Sequence, residues 1–192
     1  FGITPESIQD AEGEIILHLS LPPRQHREFQ VCITTRMDGK ATNDGRKTGY
    51  LDARKSAELA YHDWCNKATR IDAQHELFAL SIERSIRDLY ILRQPTPKGT
   101  GLSAGVPWYC ALFGRDSAIT AWQVMPFLPD LSREAIEVLA AYQGTEVNNF
   151  RAEFPGKIMH ELRLGELARI GYIPHTPYFG TVDATQLWLY VF

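Results

Sequence analysis

Arg115 and Asp116 stand side by side in "AGVPWYCALFGRDSAITAW" (104–122), with Trp108, Tyr109 and Phe113 before them and Trp122 after. Two opposite charges beside so much ring surface are either a structural pair or groups offered to a polar ligand. Both roles suit the residue types, because a carboxylate only accepts hydrogen bonds and a guanidinium only donates them, through a planar fork.

A second cluster lies in "PGKIMHELRLGE" (155–166), where Lys157, His160, Glu161, Arg163 and Glu166 fall within ten residues. His160-Glu161 begins like a zinc-protease helix, but Leu164 occupies the place of the second metal-binding histidine, so no zinc site is expected. No other Cys or His spacing points to a metal, and no cofactor is expected. One reading of the stretch is a solvated helix turn with Lys157 paired to Glu161 and Arg163 to Glu166. The other is a turn that points polar groups into a pocket, favoured by two glycines and a proline in so charged a span.

Asp183 is the only charged residue in "GYIPHTPYFGTVDATQLWLYVF" (171–192), flanked by Tyr178, Phe179 and Trp188 and set directly before an apolar helix. As an N-cap its carboxylate would be favoured by free N–H groups and the helix dipole. As a functional group in apolar, ring-lined surroundings its pKa would rise, leaving it protonated and able to donate. The two roles pull the proton in opposite directions, and the sequence leaves the choice open.

Helices must carry these groups. Ala57, Ala60, Tyr61, Trp64 and Ala68 fall on one helical face within 54–68. Asp72 is placed to cap a second helix of about 20 residues with Phe78, Ile82, Ile86 and Leu89 as its buried stripe. "QPTPKGTGLSAG" breaks it. A third helix is expected from Ser117 to Met125, and a fourth from Ser132 as N-cap to Gly144 as C′ residue, with Ile136, Leu139 and Ala140 inward. Helices joined by loops with no strand between them predict stacked α-hairpins. "GTGLSAG" has neither the preceding strand nor the spacing of a dinucleotide fingerprint.

The first 50 residues differ. "EIILHLSL" (14–21) and "EFQVCITT" (28–35), joined by "PPRQHR", read as a strand pair. Two strands do not stabilise themselves, so they are expected to close a β domain, with "DGKATNDGRKTG" (38–49) as a polar loop leading away. The expected division is residues 1–45 as the last strands of a β domain, 46–103 as a helical linker and first helix, and 104–192 as the start of a helical catalytic domain.

With 192 residues, 44% hydrophobic and 22% charged, and a formal net charge of −3, the chain has material for a core and no footprint for nucleic acid or anionic lipid. It contains no run of about 18 apolar residues that would cross a membrane. Cys32, Cys65 and Cys110 are odd in number and far apart, which predicts reduced, buried thiols and a cytoplasmic setting. Phe1 at the start and "LWLYVF" at the end read as internal points of a longer chain. The rest of that chain, or a second copy, is then expected to cover the apolar end.

Three long motifs in register, "AGVPWYCALFGRDSAITAWQ", "EFPGKIMHELRLGELA" and "PYFGTVDATQLWLYVF", resemble the amylo-α-1,6-glucosidase part of bacterial glycogen-debranching-type proteins. The resemblance covers residues 75 to 192. It implies a six-hairpin α/α toroid, only partly present here, with its active site in the loops at one mouth, preceded by the tail of a β-sandwich. It also implies an α-glucan substrate and an inverting acid/base hydrolysis of α-1,6 or related α-glucosidic bonds.

By the same resemblance, Arg115 and Asp116 would clamp the hydroxyls of the non-reducing glucose while an aromatic ring covers its apolar face. Trp108, Tyr109, Lys157, His160, Glu161, Arg163 and Tyr178 would complete the binding site. Asp183 in "GTVDAT" would be the general acid, and the general base would come from a later hairpin, beyond Phe192, rather than from Glu153, Glu161 or Glu166. Two other readings stay open: a glycan-binding or regulatory protein on the same fold, and a sugar epimerase using His160 and His175.

Overall fold

A computed structural model describes residues 8–11, 14–17, 20–27, 36–37, 40–41 and 49–192. The chain divides into two units, Phe1–Glu58 and Leu59–Phe192.

In the first unit, β1 (Ile8–Ala11) pairs antiparallel with β2 (Glu14–Leu17), and β3 (Arg36–Met37) with β4 (Lys40–Ala41). The expected strand at 14–21 is therefore present in its first half, and its described partner is Ile8–Ala11. The expected partner at 28–35 and Cys32 lie outside the described residues. "PPRQHR" makes the anticipated turn, with the Gln25 N–H donating to the Pro22 carbonyl at 3.2 Å. The 38–49 stretch is not wholly loop, because Lys40 and Ala41 belong to β4. The helix α1 (Tyr50–Cys65) begins in this unit and ends in the next.

The second unit mixes helices with a four-stranded antiparallel sheet. After α1 come α2 (Glu76–Leu92), β5 (Arg93–Thr96), β6 (Gly99–Gly105), β7 (Tyr109–Phe113), α3 (Gly114–Val124), α4 (Pro129–Ala141), β8 (Glu161–Leu162), α5 (Glu166–Arg169) and α6 (Ala184–Val191). The sheet order is β5-β6-β7-β8. This corrects the expectation of helices with no strand between them: "QPTPKGTGLSAG" ends α2 but folds as the β5–β6 hairpin. Its strands carry Pro95 and three glycines, residue types depleted in strands, and so give little strand signal.

Helix limits also move. His75, not Asp72, is the N-cap of α2, and of its expected stripe Phe78 is exposed while Ile82, Ile86 and Leu89 are half-buried. On α1, Trp64 is buried, whereas Ala57 and Ala60 are exposed. Ser132 is a buried residue inside α4, which starts at Pro129, where the fixed φ of proline suits the first turn. Gly144 is not a left-handed C′ residue. It sits where a Cβ would lie 2.5 Å from the Phe154 carbonyl oxygen, a close approach that only glycine allows.

The core gathers Leu102 and Leu112 from the sheet, Ala118 and Ala121 from α3, and Leu131, Ala135, Ile136 and Leu139 from α4. Ile158, Met159, Phe179 and Trp188 seal it from the last third of the chain. Trp188 stands against expectation as a buried residue, its indole N–H donating to the Ile136 carbonyl at 3.0 Å, while Leu189, Tyr190 and Phe192 of the same segment are exposed. The described cysteines are not buried as expected: Cys65 is half-buried and Cys110 exposed. No described helix is long and apolar enough to cross a membrane.

Candidate functional site

Gly114 opens the site. It follows β7 directly, and its N–H donates to the His160 carbonyl at 3.0 Å. A Cβ on Gly114 would lie 2.0 Å from the Met159 carbonyl oxygen and 3.1 Å from the Ala184 Cβ. The glycine therefore lets α3 start hard against two other segments, and Arg115 emerges in its first turn.

The segment before β8 alternates. Ile158 and Met159 are fully buried, which leaves Lys157 and His160 half-buried on either side of them. Two further bonds fix this run: the Ile158 N–H donates to Thr185 Oγ1 at 3.0 Å, and the His160 N–H to the Tyr178 carbonyl at 2.7 Å. Phe179, fully buried, anchors the next turn, Gly180 to Asp183, in front of α6.

These three segments border an open cleft of about 470 Å³ lined by Arg115, Lys157, His160, Gly180, Thr181, Val182 and Asp183. Four of the expected site residues, Arg115, Lys157, His160 and Asp183, are thus brought together from 68 residues of chain. Thr181, Gly180 and Val182 were not anticipated. The signal for Thr181 is local: a hydroxyl two residues before an aspartate can bond its side chain without any tertiary partner.

Asp183 is held by both carboxylate oxygens. The Thr181 hydroxyl donates to Oδ1 at 2.6 Å, and Arg115 Nη1 donates to Oδ2 at 3.1 Å. The carboxylate occupies the N-cap position of α6 but makes no side-chain capping bond. Phe179 and Trp188 are buried in the core and do not line the cleft beside Asp183. Its pKa moves opposite to the functional expectation: the Thr181 hydroxyl lowers it most, burial pushes it back up, and the Arg115 hydrogen bond and charge add to the lowering, so it lies below the ordinary aspartate value.

The remaining residues stand apart from the lining. Asp116 is half-buried in the first turn of α3, and Arg115 pairs with Asp183 instead of with it. Trp108 is 81% exposed and Tyr109 is also exposed, on the turn and strand after β6, so the crowd of rings expected around Arg115 does not form. Phe113 is buried, edge-on to His160 at 5.6 Å between ring centroids. Trp122 meets Tyr190 of α6 at 5.8 Å.

The 155–166 stretch is not a solvated helix turn, because Glu161 and Leu162 are β8, paired with β7. Lys157 donates to the Ala152 carbonyl at 3.0 Å rather than pairing with Glu161. Arg163 pairs with Glu161, not Glu166, and Glu166 pairs with Arg169. Glu161, with its side chain 9% exposed, also receives His175 Nε2 at 3.4 Å. Tyr178 packs between His160 and His175, at ring distances of 6.2 and 5.3 Å. Glu161, Arg163 and Tyr178 are thus engaged with one another and with His175 rather than lining the cleft. Glu153 is likewise committed, accepting from the Thr145 N–H at 2.9 Å and pairing with Arg151.

The sign of the Asp183 shift makes a prediction. A carboxyl whose folded pKa is lowered adds stability that is present above the ordinary aspartate value of about 3.9 and is lost as pH falls through the folded value. Thr181→Val removes the largest cause, so the Asp183 carboxyl carbon, followed by NMR, should titrate at higher pH than in the parent, with the acid edge of the melting curve moving the same way. An unmoved titration would show that Arg115 alone sets it.

No protein-family model and no curated protein matches this chain.

Proposed function

We propose that this chain carries the glucose-holding, proton-donating part of a glycoside hydrolase site of the amylo-α-1,6-glucosidase type, on part of an α/α toroid. The observation that carries the reading is the convergence of the three resembling motifs: each supplies at least one lining residue of a single cleft. Arg115, Lys157 and His160 present donors suited to sugar hydroxyls, and the Asp183 carboxylate an acceptor. Sugar recognition then rests on these more than on Asp116, which stands outside the lining. The exposed Trp122, Leu189 and Tyr190 are the kind of surface on which further helices of a toroid would pack.

In this reading Asp183 protonates the departing glycosidic oxygen while a second carboxylate, about 6.5 to 9.5 Å away, activates water on the opposite face of the sugar. No second carboxylate lines the described cleft, and the resemblance places the base further along the polypeptide. Mixing the full-length protein with a branched α-glucan and following products by proton NMR should show β-glucose first. α-Glucose as the first anomer would exclude inversion.

A second reading, glycan binding without turnover, is favoured by the single, ionised carboxylate in the cleft. Saturable binding of the glucan with no released sugar would support it. The epimerase reading loses its histidine pair, since His160 lines the cleft while His175 is engaged with Glu161 outside it.

A further inference from the structure

We infer that Arg115 changes partner when the cleft fills: in the empty site its guanidinium sits on Asp183, and an α-glucoside takes it for its own hydroxyls, leaving Asp183 held by Thr181 alone. This rests on the glycan reading of the cleft.

The geometry divides the carboxylate cleanly. Thr181 holds Oδ1 and Arg115 holds Oδ2, so losing the guanidinium frees one oxygen without releasing the side chain. Two residues of the same turn make the Thr181 bond, and it survives protonation, because a neutral carboxyl still accepts through its carbonyl oxygen. The Arg115 bond joins residues 68 apart, with the two side chains 49% and 35% exposed. Exposed ion pairs of this kind are weak and easily exchanged.

Among the described residues Asp183 is the only polar side-chain partner of Arg115. A guanidinium has five donors in a fork, so most of its capacity is unspent beside a cleft that needs donors for hydroxyls. A pyranose presents adjacent hydroxyls at a spacing that the fork can span.

The consequence is a proton uptake. With the guanidinium gone and water displaced by the sugar, the Thr181 hydroxyl and a backbone hydrogen bond still favour the carboxylate, while a stronger desolvation favours the neutral acid. The other charged or titratable groups lining the cleft are Lys157 and His160. Lys157 Nζ donates to the Ala152 carbonyl at 3.0 Å. A proton from solvent then settles on Oδ2, the oxygen vacated by Arg115, where it can be passed to a glycosidic oxygen. Arg115 is a positioning residue in this scheme: while paired with Asp183 it adds to the Thr181 hydroxyl in favouring the carboxylate, and it gives that up when substrate arrives.

The test uses thio-isomaltose, a neutral α-1,6-linked disaccharide with sulfur in the bridge, and the Asp183 carboxyl carbon signal of the full-length protein. Saturating ligand should raise the Asp183 titration midpoint by a unit or more, so that affinity improves about tenfold between pH well above the bound midpoint and pH well below the free one. Arg115→Met should raise the midpoint of the free protein and shrink the further rise on binding, while Arg115→Lys, which keeps the charge, should stay nearer the parent. Thio-isomaltose binding with the Asp183 midpoint unmoved in the parent protein would overturn the exchange and leave the glycan reading intact. Failure of thio-isomaltose to bind at all would overturn both. The parent titration needs no variant, so a misfolded Arg115→Met does not weaken it.

Discussion

Asp183→Asn should lower kcat on a branched α-glucan by about 10²-fold or more, with KM little changed, the scale on which a general acid acts. Asparagine keeps the shape of the side chain and an acceptor for the Thr181 hydroxyl at 2.6 Å, so the turn Gly180 to Asp183 should stand. What is lost is the transferable proton. The Arg115 guanidinium loses its ionic partner in the same step, and sugar affinity should hold or improve because the fork no longer has to leave a carboxylate. A variant with parental kcat would remove Asp183 from the acid's role. Parental kcat with a raised KM would make Asp183 a ligand for hydroxyls instead.

Gly114→Ala should be the most damaging small substitution near the cleft, lowering stability by about 3 kcal/mol or more, since forcing atoms into packed surroundings costs typically 1–3 and at times more. The new methyl would stand 2.0 Å from a backbone oxygen, which cannot rotate away as a side chain can. Either α3 retreats from the Met159–His160 segment or that segment retreats from α6, and both separate Arg115 from His160 and Asp183. The melting temperature should fall by about 10 °C, with glycan binding lost alongside. Gly165→Ala serves as the control, because nothing lies within 4 Å of its added Cβ. Equal melting temperatures for the two variants would show that the close approach at Gly114 is relieved at no cost.

The sequence marked the cleft's segments better than its pairings. Motif and spacing brought Arg115, Lys157, His160 and Asp183 forward; the helix expected over Ser117–Met125 starts three residues earlier, at Gly114, and an apolar helix does follow Asp183. The Arg115–Asp183 bond was not legible, since no local pattern links groups 68 residues apart. Asp116, adjacent in sequence, was the natural but mistaken partner. The sheet escaped for a related reason. A two-residue strand such as Glu161–Leu162 is below any period-2 signal, and its charge density read as helix surface. Rings misled in the same way: Trp108 and Phe113 are five residues apart, yet one is exposed and the other packed on His160.

The backbone bonds around the cleft also bear on how such a site could diversify over time. Gly114 is tied to His160 and His160 to Tyr178, while Glu161 and Arg163 are bonded to Tyr178 and His175. An inserted or deleted residue anywhere in 157–163 or 175–183 would slip this register and carry the acid away from its neighbours. Residues 164–174 lie outside the ladder as an excursion capped by the short α5, with Leu164, Leu167, Ile170 and Tyr172 exposed. Changes of length in that excursion would leave the ladder intact as long as Ala168 stays packed, whereas a change in what the cleft accepts would come from exchanging side chains at 157, 160, 181 and 182 on a frame of constant length.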